Sequence, residues 1–377
     1  MNFETLCVHA EKKREDATGA VSVPIYQTAM FAHKHLGEST GYDYSRLQNP
    51  TREHLENVVA GLEGGIDALA FSTGMAAVTA LMELFSPGDH IISSNDLYGG
   101  SYRLFQNISK KNGLTFTFLD TSDTIDLKNA VTPATKAIFV ETPTNPMMRV
   151  TDIAAVSEIA KKSGALLIVD NTFLTPYYQR PLDLGADVVL HSGTKYLCGH
   201  NDTLAGFLVV KTVELSEKLR FIYKTTGAGL APFDSWLIIR GLKTLPLRLD
   251  RQNESARKIA EWLSVQPKVK KVYYVGLKNH PDYAVSKKQT TGFGGMISFE
   301  VDSAETVRHI LGNIKLILFA ESLGGVETLL TYPCTQTHAD VPKEEREAGG
   351  ITDRLLRLSV GVENADDLIA DLSAVLS

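Results

Sequence analysis

Between Pro50 and about Val210 short apolar runs alternate with amphipathic segments, and this alternation limits the fold more than any other feature. The runs are Ala68–Phe71, His90–Ser93, Thr115–Leu119, Ala137–Val140, Leu166–Val169, Val188–Leu190 and Ala205–Val210. Helical patterns lie between several of them, among them Ala76–Phe85, Ser101–Lys111 and Ile153–Lys162. Runs of this length bounded by polar residues read as buried strands. Strands that alternate with helices build a mostly parallel sheet covered on both faces. The expected class is therefore α/β, with ligands bound beyond the carboxyl ends of the strands.

The flanks read differently. Residues 1–49 are rich in Gly, Pro, Tyr and His with weak periodicity, and read as an extended arm. Phe233–Leu263 reads as one or more long helices. Beyond it, strands are expected at Val269–Tyr274, Gly295–Phe299 and Leu355–Val360, and helices at Ala304–Leu311 and Ala365–Leu376. With 377 residues the chain is too long for one simple core. The expected division is an arm (1–49), an α/β domain (50–235) and a smaller α+β domain (236–377).

Several partner classes drop out. Lys+Arg total 38 against 44 Asp+Glu, and no basic block stands out, so nothing points to nucleic acid or an anionic membrane. Apolar runs such as Ala165–Val169 are far too short to span a bilayer. The opening MNFETLCVHAEKKRED lacks the apolar stretch of a secretory signal. Cys7, Cys198 and Cys334 are odd in number and not in metal-ligand spacing, which reads as buried thiols in a reducing compartment. A cytoplasmic protein with no metal site is expected.

Four polar clusters stand at strand ends. Asp187-Val-Val-Leu-His191-Ser192-Gly193-Thr194-Lys195 delivers a lysine between small hydroxyl residues. A lysine after a strand is ordinarily a surface lysine, but these neighbours suit an amine held beside an electrophilic carbonyl, with hydroxyls for a phosphate. Leu166-Leu-Ile-Val169-Asp170 closes an apolar strand with a carboxylate. Alone, that Asp could cap the next helix or bind a metal; beside the lysine it suits the protonated ring nitrogen of pyridoxal phosphate (PLP). Phe71-Ser72-Thr73-Gly74-Met75 is a small-residue turn before a helix, either a plain tight turn or a phosphate cradle. Tyr98-Gly99-Gly100 could stack on a planar ring or simply pack its loop. Their succession within one domain suits a cofactor enzyme.

With these motifs the chain resembles the Cys/Met-metabolism family of PLP enzymes, which includes cystathionine γ-synthase, cystathionine β- and γ-lyases, methionine γ-lyase and homoserine sulfhydrylases. The likeness covers nearly the whole chain, through TGAVSVPIYQT, YDYSRLQNPTR, FSTGMAA, DLYGG, ETPTNP, VDNTF, DVVLHSGTKY, AESLGGVE and RLLRLSVGVE. It implies an aspartate-aminotransferase-like, fold-type I PLP-dependent transferase. It also implies that Lys195 is the Schiff-base lysine and proton shuttle, that Asp170 pairs the ring nitrogen and that Tyr98 stacks on the ring. Gly74, Met75, Ser192 and Thr194 would hold the phosphate. Tyr44 and Arg46 would reach the phosphate of a neighbouring subunit, so that the active unit is at least a dimer and, by family habit, a homotetramer. Arg357 would grip the substrate carboxylate with Asn145, and Ser322 beside Glu321 would complete the substrate side. Asp43 and Glu321 resemble γ-synthases, and so does GHNDTLAG together with TYPCTQTHADVP, although Cys334 stands where a small residue is more usual. The expected activity is γ-replacement of an O-acylhomoserine by cysteine; a cystathionine lyase or a sulfhydrylase is the alternative on the same scaffold.

Overall fold

The computed structural model describes residues 1–10, 18–339 and 341–376. The end of the opening polar stretch and Asp340 of the THADVP segment lie outside the described residues. Twelve strands form two sheets among the described residues. The first seven are β1 (Asp67–Phe71), β2 (His90–Ser94), β3 (Thr115–Leu119), β4 (Thr135–Glu141), β5 (Leu166–Asp170), β6 (Val188–Ser192) and β7 (Gly206–Val210). They lie in the order β1-β7-β6-β5-β4-β2-β3. Only β7 runs against its neighbours, pairing antiparallel with both β1 and β6. All seven coincide with the apolar runs of the sequence to within a residue or two.

The sheet is covered on both sides because its strands are apolar on both sides. Alternate residues divide between two cores. Ala70, Ile138, Val140, Val169 and Val189 face one, and Phe71, Phe139, Ile168, Val188 and Leu190 face the other. The first face is packed by helices Pro50–Glu63, Ile153–Ser163 and Pro232–Leu242. The second is packed by Gly74–Met82 and Val213–Thr226. Burial of a large aliphatic or aromatic side chain stabilises by about 2–3 kcal/mol, so dozens of such residues fix the strand ends from which the site is built.

The second sheet comprises β8 (Val269–Tyr273), β9 (Met296–Val301), β10 (Leu318–Phe319), β11 (Leu329–Thr331) and β12 (Leu355–Ser359), in the order β10-β11-β12-β9-β8. Its core joins Ile259 and Leu263 of helix Leu245–Leu263 to Ile297, Phe299, Leu356 and Leu368. The segment read as long helices is two helices, Pro232–Leu242 and Leu245–Leu263. Position 235 falls inside the first of them.

Two expectations need correction, and two strands were not anticipated. The start of the chain is not wholly extended: Phe3–His9 is helical, with Cys7 and Ala10 buried in the core and Phe3 against Tyr177. Seven residues are too few for a helical period to register. The expected helix Ser101–Lys111 is instead Gly99–Leu104 continuing as a wider π-helical turn, Phe105–Ser109. The extra residue in that turn accompanies the burial of Phe105, stacked 4.9 Å from Phe116. The strands β10 and β11, two and three residues long, are too short to show a pattern in the sequence.

Behind β5 and β6 lies a buried polar knot. Glu63 Oε1 is 2.6 Å from His191 Nε2 and accepts from Asn171 Nδ2 at 2.9 Å, and all three side chains are sealed from solvent. Asn171 and His191 adjoin Asp170 and Ser192, so the knot fixes two strand ends together. Replacing Glu63 with Ala strands two buried polar groups and is expected to cost about 3 kcal/mol. The check is a fall of several degrees in the melting temperature of the cofactor-free protein.

Candidate active site

The carboxyl ends of β1, β4, β5 and β6 open on one cavity of about 320 Å³. Thr73, Gly74, Met75, Tyr98, Glu141, Asp170, Ser192, Thr194 and Lys195 line it from the large sheet. Asn145 joins from the loop after β4, and Glu321, Ser322, Thr337 and Arg357 close it from the second sheet and its loops. All four strand-end clusters of the sequence therefore meet.

The cradle is built by a cap. Thr73 Oγ1 accepts the amide of Ala76 at 2.9 Å, and Thr73 O accepts that of Ala77. The amides of Gly74 and Met75, in the first turn of helix Gly74–Met82, have no intrahelical acceptor. With the positive end of the helix dipole and the nearby hydroxyls of Ser192 and Thr194, they suit a phosphate. The platform depends on a glycine. A Cβ on Gly100 would lie 2.4 Å from the Tyr98 ring, so the ring can take this place only because Gly100 has none.

Asp170 is held for charge. Its Oδ1 accepts from Thr172 N at 3.0 Å and Thr172 Oγ1 at 2.5 Å, while Thr172 Oγ1 also accepts from Ser192 N. Burial raises the Asp170 carboxyl above its ordinary range, and the Thr172 hydrogen bonds and His191 oppose that rise. A buried anion of this kind suits a cationic ring nitrogen.

Lys195 lies in the turn after β6 with Nζ 3.0 Å from Ser322 Oγ. Burial first, then the charge of Arg357, lower its pKa to about 8, against a smaller opposing pull from Glu321. Ser322 reaches it because Gly324 packs on the Lys195–Tyr196 backbone, where a Cβ would lie 2.7 Å from Tyr196 N. Ser322 itself has φ 95, an uncommon conformation for a residue with a side chain. Arg357 on β12 is 1% exposed. It donates to Asn145 Oδ1 at 2.8 Å, Ser322 O at 3.0 Å and Thr331 Oγ1 at 3.2 Å. Its Nε has no hydrogen-bond partner among the described residues. A fully buried guanidinium whose acceptors among the described residues are all neutral suits a carboxylate ligand.

A lysine with a depressed pKa, a hydrogen-bonded buried carboxylate, a helix-end cradle and an aromatic platform around one cavity fit the aldehyde, ring nitrogen, phosphate and ring face of PLP. The profile of the Cys/Met metabolism PLP-dependent enzymes matches residues 4–377. The chain belongs to this family. As a member it is a fold-type I PLP enzyme of sulfur amino-acid metabolism. Cystathionine gamma-lyase of Bacillus subtilis (strain 168) is 50% identical over 376 residues, covering 100% of this chain and 99% of the relative. Cystathionine beta-lyase of Lactococcus lactis subsp. cremoris (strain MG1363) is 48% identical, again over 100% and 99%. A solved structure of cystathionine gamma synthase from Xanthomonas oryzae pv. oryzae, in complex with aminoacrylate and cysteine, superposes with a TM-score of 0.97 at 43% identity, covering 100% of this chain and 98% of that one.

Three of the anticipated residues are not in this chain's cavity. Asp43 accepts from Ser39 Oγ at 2.9 Å and lies 2.7 Å from His33 Nε2, half exposed. Arg46 donates to Lys224 O and sits 5.4 Å above the Tyr44 ring. Glu141 and Thr172 are among the contributors outside the anticipated set. Glu141 follows the apolar run Ala137–Val140 just as Asp170 follows Leu166–Val169, so the strand-end rule could have found it. Thr172 carries no such signal, because its role depends on a fold-back onto Asp170.

The Lys195 environment yields a pH prediction. A neutral amine attacks an aldehyde and an ammonium does not, so capture of PLP by the cofactor-free protein should quicken as pH rises through about 8. Removing the Arg357 charge by Arg357→Leu should move that midpoint upward, because a neighbouring cation favours the neutral amine. Stopped-flow absorbance from neutral to alkaline pH checks both.

Proposed function

We propose that this chain is a cystathionine γ-synthase, joining an O-acylated homoserine to cysteine by γ-replacement. The observation that carries the reading is Glu321 on the cavity wall, in the same cavity as the carboxylate grip of Arg357 and Asn145 and the amine of Lys195. One α-amino acid is held at its carboxylate, and an acid remains for the ammonium of a second. PLP, when bound, withdraws electrons from the substrate Cα through its protonated ring.

The protein residues then have defined tasks. Arg357 offers a planar fork to the α-carboxylate and Asn145 holds that fork still. Lys195, oriented by Ser322, removes the proton from Cα and then one from Cβ. Tyr98 covers the ring face. The acyloxy group leaves Cγ as a carboxylate, the cysteine sulfur bonds to Cγ, Lys195 returns the two protons to Cα and Cβ, and the thiol proton is released with the carboxylate. Tyr44 and Arg46, on the exposed arm, serve the phosphate site of a second copy, and Asp43 beside them serves the incoming cysteine there. The active unit is then at least a dimer, with a homotetramer as the expected assembly.

The second reading is a cystathionine lyase. It is favoured by the 50% identity to a γ-lyase and 48% to a β-lyase. Both readings share the α-carboxylate grip and the lysine, and differ in whether a thiol enters or leaves.

Purified enzyme given O-acetyl- or O-succinylhomoserine with cysteine should form cystathionine. Rapid pyruvate or 2-oxobutanoate from cystathionine with no such synthesis would replace this reading with the lyase. Under the synthase reading, Glu321→Ala should raise KM for cysteine about fivefold, the worth of a partly desolvated ion pair, with a smaller change in KM for the homoserine ester.

A further inference from the structure

We propose that Glu141 is a positioning residue for the cofactor platform, its carboxyl holding the Tyr98 backbone and thereby the aromatic ring over the cavity.

Tyr98 lines the cavity yet is 42% exposed, so packing does little to fix it from outside. Tyr98 also stands at the N-cap of helix Gly99–Leu104, and its side chain makes no cap hydrogen bond there. Its own amide is anchored: Tyr98 N donates to Glu141 Oε2 at 2.9 Å. Glu141 is 5% exposed and ends β4, where its own amide donates to Ser94 Oγ at 3.2 Å. A second carboxylate ties the same loop in the opposite sense. Asp96 Oδ2 accepts from Thr144 Oγ1 and from Met147 N at 3.2 Å. The loop carrying Tyr98 and the loop carrying Asn145 are thus cross-linked by two buried acids. Of the two, Glu141 alone lines the cofactor cavity.

Its charge state follows from its neighbour. Glu141 is the register partner of Asp170 on the adjacent strand. Two ionised carboxylates there would repel in a buried site. The Thr172 hydrogen bonds favour the charge on Asp170. Burial and Asp170 push Glu141 well above the usual carboxylate range. Glu141 therefore works as a neutral acid whose carbonyl oxygen accepts the Tyr98 amide, and an amide oxygen of the same reach should replace it.

The test uses the full-length protein stripped of cofactor and titrated with PLP. Dissociation constants are read from absorbance, and visible circular dichroism of the loaded protein reports how the ring is held. Glu141→Ala should weaken PLP binding about tenfold, the scale of one buried hydrogen bond, and reduce the dichroic band. Glu141→Gln should stay within about twofold of the parent. Glu141→Asp keeps the carboxyl but withdraws its oxygen by one methylene, and should resemble Glu141→Ala. In a Tyr98→Ala background the Glu141→Ala loss should largely vanish. A Glu141→Gln protein as impaired as Glu141→Ala, or an undiminished loss without Tyr98, overturns the proposal. Should Glu141→Ala fail to fold, the Asp and Gln variants with and without Tyr98→Ala make the same distinction. Neither readout depends on whether the enzyme makes or cleaves cystathionine.

Discussion

The site depends on burying Arg357 whole. A guanidinium removed from water costs several kcal/mol unless its hydrogens are met. Here the two terminal nitrogens are met from three separate pieces of chain: Asn145 after β4, the Ser322 carbonyl and Thr331 on β11. The arginine thus ties the second sheet to the loops of the first. It also acts on Lys195 at a distance, by raising the cost of a second positive charge nearby. Carboxylate recognition and activation of the amine share one cation, and an anionic substrate that neutralises it changes the lysine in turn.

The large sheet was legible because most of its strands carry a short apolar run beside a polar residue, as in Leu166–Asp170 and Val188–Ser192. Such runs have few structural alternatives when helical segments separate them. The cofactor side of the site was legible for the same reason, since Asp170 is such a closing residue and Lys195 follows one within a single turn. The helix Phe3–His9 and the short strands β10 and β11 were not, because their order comes from contacts distant in sequence rather than from local pattern. Glu141 obeys the rule that found Asp170, yet it sits at the head of the ETPTNP motif, whose polar signal centres on Asn145.

The substrate side was harder to read, and the reason is physical. Arg357, Ser322 and Glu321 come from the second sheet and its loops, and their meeting with Lys195 depends on how two cores pack. Residue motifs name such groups but leave their distances open. Asp43, Tyr44 and Arg46 show the same limit more sharply, because within one chain they bond to the arm and to Lys224 rather than to the cavity.

The reversed strand β7 has a consequence for how the protein is made. It is the last of the seven to leave the ribosome, yet it sits between β1 and β6, which carry the cradle and the lysine. Until it inserts, those two strand ends are not held side by side, and a nascent chain has the parts of a phosphate-and-aldehyde trap without the trap itself. Vitamin capture is thereby deferred until β7 has been made, and long-range pairing of this kind makes that closing step a slow one.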